Sequence, residues 1–314
     1  MRKIGVLTSG GDSPGMNACI AGLVKKCYEN GIEIVGVKNG YRGFLDKDYV
    51  KLDMNAIEGI SKRGGTILRT ARLPELKELS VQKQIAEEIK VQNMDAIVVL
   101  GGDGSLRGAN DLSKLGINVI GIPCTIDNNV YGSEYTIGYD TAQNKTLQVI
   151  NDIEDTADAM PGRVFLVETL GAEYGFLAYA AYQAGAADMF LVPEIPFEEE
   201  KICKNIKDIL EKKKKYVIIT ICEGLGRTYE ISKKIEKELG IHVRITIIGH
   251  QQRGGTPSAY ERIQAVAFAE MAIDAVLKGT SNKIIVYRNG KHLMTDFFEV
   301  SMRKDLSTTN VTYR

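Results

Sequence analysis

Ile4-Gly5-Val6-Leu7-Thr8-Ser9-Gly10-Gly11-Asp12-Ser13-Pro14-Gly15-Met16-Asn17 starts as a short apolar strand, breaks into a glycine-rich turn and continues into a stretch of helical period. Glycines at a strand-to-helix turn let backbone N–H groups point at a phosphate beside a helix N-terminus. The same glycines also suit a tight turn that needs positive φ. Their spacing matches neither G-x-G-x-x-G nor G-x-x-x-x-G-K-[ST], so neither a dinucleotide fingerprint nor a P-loop is met.

Working outward, short apolar runs alternate with longer helical segments. Strands are expected at Ile4 to Thr8, Ile32 to Val37, Ala96 to Leu100, Val119 to Ile122, Val164 to Val167, Tyr216 to Ile221, Val243 to Ile248 and Lys283 to Tyr287. The clearest helices are Val81 to Val91, Thr141 to Thr156, Ile202 to Lys212 and Ser258 to Leu277. Several strands are apolar throughout rather than alternating, as in parallel sheets covered on both faces. The class is α/β, doubly wound, with mostly parallel sheets. No Pro-rich or Ser-rich linker and no strong repeat divides the chain, and after Tyr287 it reads as a polar tail.

Three more loops follow strands. Gly101-Gly102-Asp103-Gly104-Ser105, with Gly108 beyond, sets one carboxylate among glycines, which suits Mg²⁺ bound to phosphate oxygens; a lone Asp there also suits a helix cap. Pro123-Cys124-Thr125-Ile126-Asp127-Asn128-Asn129 brings a second carboxylate to the same sheet edge, where ligands of open α/β sheets bind. One carboxylate on a metal and another free to take a proton from a hydroxyl suggests phosphoryl transfer, although Asp127 alone also fits an Asx-turn. Gly249-His250-Gln251-Gln252-Arg253-Gly254-Gly255-Thr256-Pro257 offers an imidazole and a guanidinium suited to a phosphate monoester. Of the three histidines only His250 has such neighbours; a core histidine is the alternative.

Composition narrows the partners. In 314 residues, 44% are hydrophobic, and forty basic side chains balance forty acidic ones, so disorder is excluded and no nucleic acid or membrane partner is expected. Five cysteines without a C-x-x-C pair argue against a disulfide framework or zinc ribbon. No signal peptide and no apolar run of about 20 residues is read, so a cytoplasmic location is expected. The run Lys212 to Lys215 reads first as a solvated helix end.

Thr8 to Asn17, Arg63-Gly64-Gly65-Thr66, Thr70-Ala71-Arg72, Gly101 to Ser105, Thr125 to Asn128 and Gly249-His250-x-Gln252-Arg253-Gly254-Gly255 occur in the order in which they occur in ATP-dependent 6-phosphofructokinases, a family this chain resembles over nearly its whole length. Gly-Gly-Asp-Gly alone is shared with NAD kinases and diacylglycerol kinases, which lack the rest. The resemblance implies a nucleotide domain, 1–138 plus 251–305, a sugar-phosphate domain, 139–250, and a tail, 306–314, with the active site in the cleft between the two domains. It implies that Gly11, Tyr41, Arg72, Gly102, Gly104, Ser105 and Gly108 meet ATP, that Asp103 carries Mg²⁺, and that Asp127, with Arg72 and Thr125, serves catalysis on the sugar 1-hydroxyl. Thr125, Leu170, Gly171 and Glu223 match sugar contacts. Arg163, Arg244, His250 and Arg253 match positions that hold fructose 6-phosphate, the first two reaching over from a neighbouring subunit of a homotetramer.

Some positions depart from the family pattern. Asn129 stands where the family has Asp, Ala172 where Met-Gly-Arg places Arg, and Cys124 where ATP users have Gly and pyrophosphate users Lys. A second reading attaches to them: a catalytically impaired paralogue that senses nucleotide and sugar phosphate or serves as a regulatory subunit, or a pyrophosphate-using relative. Gly104, where pyrophosphate users place Asp, favours ATP. At the family's effector pocket, Ala21 replaces Arg, Lys25 replaces Arg, Gly59 replaces Asp, Glu154 replaces Arg and Asp188 replaces Glu, leaving the lysine run.

Overall fold

The structure is a computed structural model that describes residues 2–212, 214–298 and 302–309. The chain forms two compact units: Met1–Asp140 with Arg253–Lys304, and Thr141–Gln252 with the segment that begins at Asp305. In chain order the strands are β1 (Lys3–Ser9), β2 (Glu33–Val37), β3 (Tyr49–Lys51), β4 (Ala96–Gly101), β5 (Val119–Thr125), β6 (Ile137–Gly138), β7 (Arg163–Thr169), β8 (Met189–Leu191), β9 (Tyr216–Cys222), β10 (Val243–Ile247), β11 (Lys283–Arg288) and β12 (Lys291–Asp296).

The first unit holds a sheet of order β12-β11-β5-β4-β1-β2-β3, with β6 alongside β5. It is parallel except at its edges, where β3 and β12 run antiparallel. The unbroken apolar run in β4 follows from burial on both faces. Ala96, Val98 and Leu100 pack into one cluster with helices Met16–Glu29 and Ala259–Leu277. Ile97 and Val99 enter the other, with helices Leu79–Val91 and Asp103–Lys114. The second unit has an all-parallel sheet of order β10-β7-β9-β8. On β7, Val164 and Leu166 face one apolar cluster while Phe165 and Val167 face another.

All eight strands and four helices read from the sequence are present, with ends shifted by a few residues. The strands β3, β6, β8 and β12 were not anticipated. The first three have no more than three residues each, too few to show a period. The fourth lies where the sequence reads only as polar: β12 pairs with β11 through Asn289 (φ 50°) and Gly290 (φ 73°), the positive-φ pair of a type I′ hairpin. Its position at an edge explains its polarity. Leu306, read as the start of the tail, is buried, and its N–H reaches Glu194 Oε1 at 3.5 Å within the second unit. Positions 310–314 and Lys213 lie outside the described residues.

Candidate active site

In the first unit, register brings three of the sequence-predicted loops side by side. Ser9 pairs with Gly101 across β1 and β4, and Gly101 with Pro123 across β4 and β5, so the loops after β1, β4 and β5 leave the sheet at one edge. Each is braced by distant parts of the chain. Thr8 Oγ1 donates to the Arg69 carbonyl at 2.8 Å and Thr70 Oγ1 to the Gly10 carbonyl at 2.6 Å, fastening the Arg63–Arg72 segment to the first loop. Asn17 Nδ2 donates to the carbonyls of Arg63 and Gly64 and its Oδ1 accepts from Ile67 N. Arg72 ends this segment exposed.

Arg253 also belongs to this loop cluster. Its Nη1 donates to the Asp12 carbonyl at 3.2 Å and lies 2.1 Å from where a Cβ on Gly11 would stand. Only glycine at position 11 leaves the guanidinium this place. The arginine expected on the sugar phosphate therefore packs against the loop expected on ATP.

At the second loop, Asp103 begins helix Asp103–Lys114, and Arg107 one turn on donates from Nε to Asp103 Oδ1 at 3.0 Å and from Nη2 to Oδ2. Nothing lies within 4 Å of a Cβ placed on Gly104. Tyr41, by contrast, is 1% exposed. Its hydroxyl donates to the Ser105 carbonyl at 2.7 Å, its ring lies 3.4 Å from a Cβ on Gly108, and burial pushes its pKa upward. Here Tyr41 supports the Gly102–Gly108 turn from behind.

In the third loop, the Asp127 N–H donates to Thr125 Oγ1 at 3.2 Å, and Thr136 Oγ1 donates to the Thr125 carbonyl at 2.6 Å. Asn128, at φ 49°, donates from Nδ2 to the Glu134 carbonyl at 3.1 Å, and Asn129 Oδ1 is buried without a hydrogen-bond partner among the described residues. Cys124 points into the core, where burial pushes its thiol pKa up. Beneath the loop lies Glu261, a fully buried carboxylate that accepts from Gly138 N at 2.7 Å and from the Tyr135 hydroxyl.

In the second unit the matched residues fall into two groups. Leu170, Gly171 and Glu223 lie just past the carboxyl ends of β7 and β9: Leu170 N donates to Gln252 Oε1 at 2.7 Å, and Gly171 N and Ala172 N donate to Glu223 Oε1 at 3.2 and 3.0 Å. Gln252, fully buried, also donates to Thr146 Oγ1 at 2.8 Å and fixes the turn that carries exposed His250. Arg163 and Arg244 instead sit near the amino ends of β7 and β10; the pairing of Arg244 with Phe165 puts both on one face. At about 3.3 Å per residue, the seven positions from Arg163 to Leu170 span roughly 20 Å. One copy therefore does not bring these arginines to Leu170.

Among the described residues no group of three or more His, Cys, Asp or Glu side chains could cage a metal ion. The donors at hand, one carboxylate beside open space at Gly104, still fit Mg²⁺, which takes one or two carboxylates and completes its shell with phosphate and water. Sequence reading missed Arg107, Gln252 and Glu261; only Gln252 had a signal, its place in the Gly249–Gly255 motif.

Loops at the carboxyl ends of adjacent parallel strands, two of them glycine-rich and each carrying an Asp, mark an α/β protein of the phosphate-binding kind. The phosphofructokinase model (PFK) matches residues 3–276, and the chain belongs to that family. It is 41% identical over 310 residues to the ATP-dependent 6-phosphofructokinase of Sulfurihydrogenibium sp. (strain YO3AOP1), covering 97% of this chain and 95% of that one. The crystal structure of Pichia pastoris phosphofructokinase in the T-state superposes with a TM-score of 0.88 at 28% identity; it matches 96% of this chain, which spans 37% of the length of that one. A pyrophosphate-dependent phosphofructokinase from Marinobacter aquaeolei gives 0.87 at 21% identity, covering 99% of this chain and 87% of that one, so this backbone occurs with another donor.

Proposed function

We propose that this chain transfers the γ-phosphoryl group of MgATP to O1 of fructose 6-phosphate, giving fructose 1,6-bisphosphate and ADP. The observation that carries the reading is the register of the three loops, which sets Asp103 and Asp127 after neighbouring strands of one sheet. The 41% identity to an ATP-dependent 6-phosphofructokinase supports it. Asp103 would hold the metal, and Mg²⁺, when bound, would offset the charge of the transferring phosphates. The Ser9–Asp12 and Gly102–Gly108 turns receive the nucleotide's phosphates on backbone N–H groups. Asp127 takes the proton from the 1-hydroxyl as its oxygen attacks phosphorus, and Arg72 and Arg253 face the charge that develops.

Glu223, His250 and the Leu170–Gly171 turn hold the sugar phosphate, and Arg163 and Arg244 of a second copy complete its phosphate site. The separation of these arginines from Leu170 supports a homo-oligomer, which we take as a tetramer. ATP is favoured as donor by the open space at Gly104 and by the absence of lysine at position 124. Five buried cysteines without a C-x-x-C pair suit a reducing cytoplasm; among the described residues no helix is long and apolar enough to cross a membrane. The test is ³¹P NMR of a mixture of protein, Mg²⁺, ATP and fructose 6-phosphate. The reading expects a new C1 phosphomonoester signal growing in step with ADP. ATP hydrolysis to inorganic phosphate without that signal, or no change at all, contradicts it.

A further inference from the structure

Asp103 is engaged through both carboxylate oxygens by Arg107, one helical turn away, with its side chain 18% exposed against 62% for the arginine. The guanidinium thus covers the solvent side of the carboxylate. Most pairs at this spacing are surface decoration of small worth. This one differs in position. Asp103 is the only acidic residue of Gly101–Ser105, it follows β4 directly, and open space adjoins it at Gly104.

We propose that Arg107 is the resident counter-ion of the metal carboxylate, screening Asp103 from the ATP polyphosphate until Mg²⁺ displaces it. This rests on the reading that Asp103 receives Mg²⁺ with ATP. Without metal, the arginine cancels a negative charge that would repel the nucleotide. With metal, the same arginine competes with Mg²⁺ for the two oxygens. Arg107 is therefore a positioning residue that sets how strongly Mg²⁺ and ATP depend on each other, a coupling that must appear in the binding of both.

The test is equilibrium binding to the full chain, without sugar, for parent, Arg107→Met and Arg107→Lys. ATP is titrated calorimetrically in EDTA, and Mn²⁺ is titrated by electron paramagnetic resonance with ATP present. The expected result for Arg107→Met is metal-free ATP binding weakened about two- to fivefold and Mn²⁺ binding tightened by a similar factor, the range for an exposed ion pair. Arg107→Lys, which keeps the charge without the planar fork, should fall between, and both differences should shrink in high salt. Helix stability alone would move the melting temperature and leave both constants in place. Equal constants in parent and Arg107→Met overturn the proposal whether or not the melting temperature moves, as does equal weakening of ATP in EDTA and in a matching titration with Mg²⁺, which would make Arg107 a plain nucleotide contact. If the parent binds no ATP in either condition, the function proposed above fails with it.

Discussion

Gly104 is a single position where stability and activity should part. It lies in the first turn of helix Asp103–Lys114, is not among the positive-φ glycines, and leaves the volume of a Cβ empty. Gly104→Ala should raise folding stability by about 0.4–1 kcal/mol, because alanine has fewer unfolded conformations to lose. It should also weaken ATP binding by placing a methyl group beside the phosphate turn. Thermal melts and calorimetric titration with MgATP read the two effects; unchanged ATP affinity would show that the nucleotide does not pass this residue. Such glycines were legible because strand, glycine and carboxylate adjoin in sequence. The supporting residues were not. Gln252 reaches Leu170 across 82 positions and Glu261 reaches Gly138 across 123, and no local pattern encodes either meeting. Tyr41, expected beside ATP only through the family resemblance, is buried beneath Ser105, a place that emerges only from packing.

Among the elements, β12 has the clearest dependence on pH. His292 stands edge-on to Phe268, ring centroids 4.6 Å apart, and to Tyr287 at 5.2 Å, with Nε2 buried and without a hydrogen-bond partner among the described residues. Burial lowers its pKa in the folded chain. As pH falls below about 6.5, the unfolded chain takes up a proton there that the folded chain still refuses, so stability falls with pH. Glu270 and Asp274 of helix Ala259–Leu277, and Lys278 just past its end, line the same cavity, so the effect is read as a difference between proteins. His292→Phe should lose less stability than the parent between pH 7 and pH 5.5 in urea melts; parallel losses would show that His292 is not the group responsible. The strand itself was missed because an edge strand need not alternate, although Asn289-Gly290 carried the hairpin signal. Strands such as β4 and β9 were legible because burial on both faces leaves an almost unbroken apolar run.

At the scale of the whole molecule, the class of fold and the sheet edge that carries the loops were legible, since parallel strands gather their ligands at their carboxyl ends. Strand order was not, because register between β1, β4 and β5 is decided by crossovers that sequence does not spell out. Regulation is a whole-molecule property with a plain expectation. Lys214 is held by Asp188 and Lys215 Nζ lies 3.2 Å from Asp158, so these two of the cations left at the effector positions already have acidic partners. Millimolar phosphoenolpyruvate should neither inhibit nor shift the fructose 6-phosphate saturation curve, and a clear rightward shift would refute this. The central claim is that the loops after β1, β4 and β5 run ATP-driven phosphorylation with Asp127 as the base. Its most direct test is steady-state turnover of parent and Asp127→Ser with fructose 6-phosphate and Mg²⁺, on ATP and on pyrophosphate in parallel. The account predicts turnover with ATP exceeding that with pyrophosphate, and a loss of about a hundredfold or more in kcat for Asp127→Ser with MgATP binding retained. Equal kcat in the two proteins, or faster turnover on pyrophosphate, would contradict it.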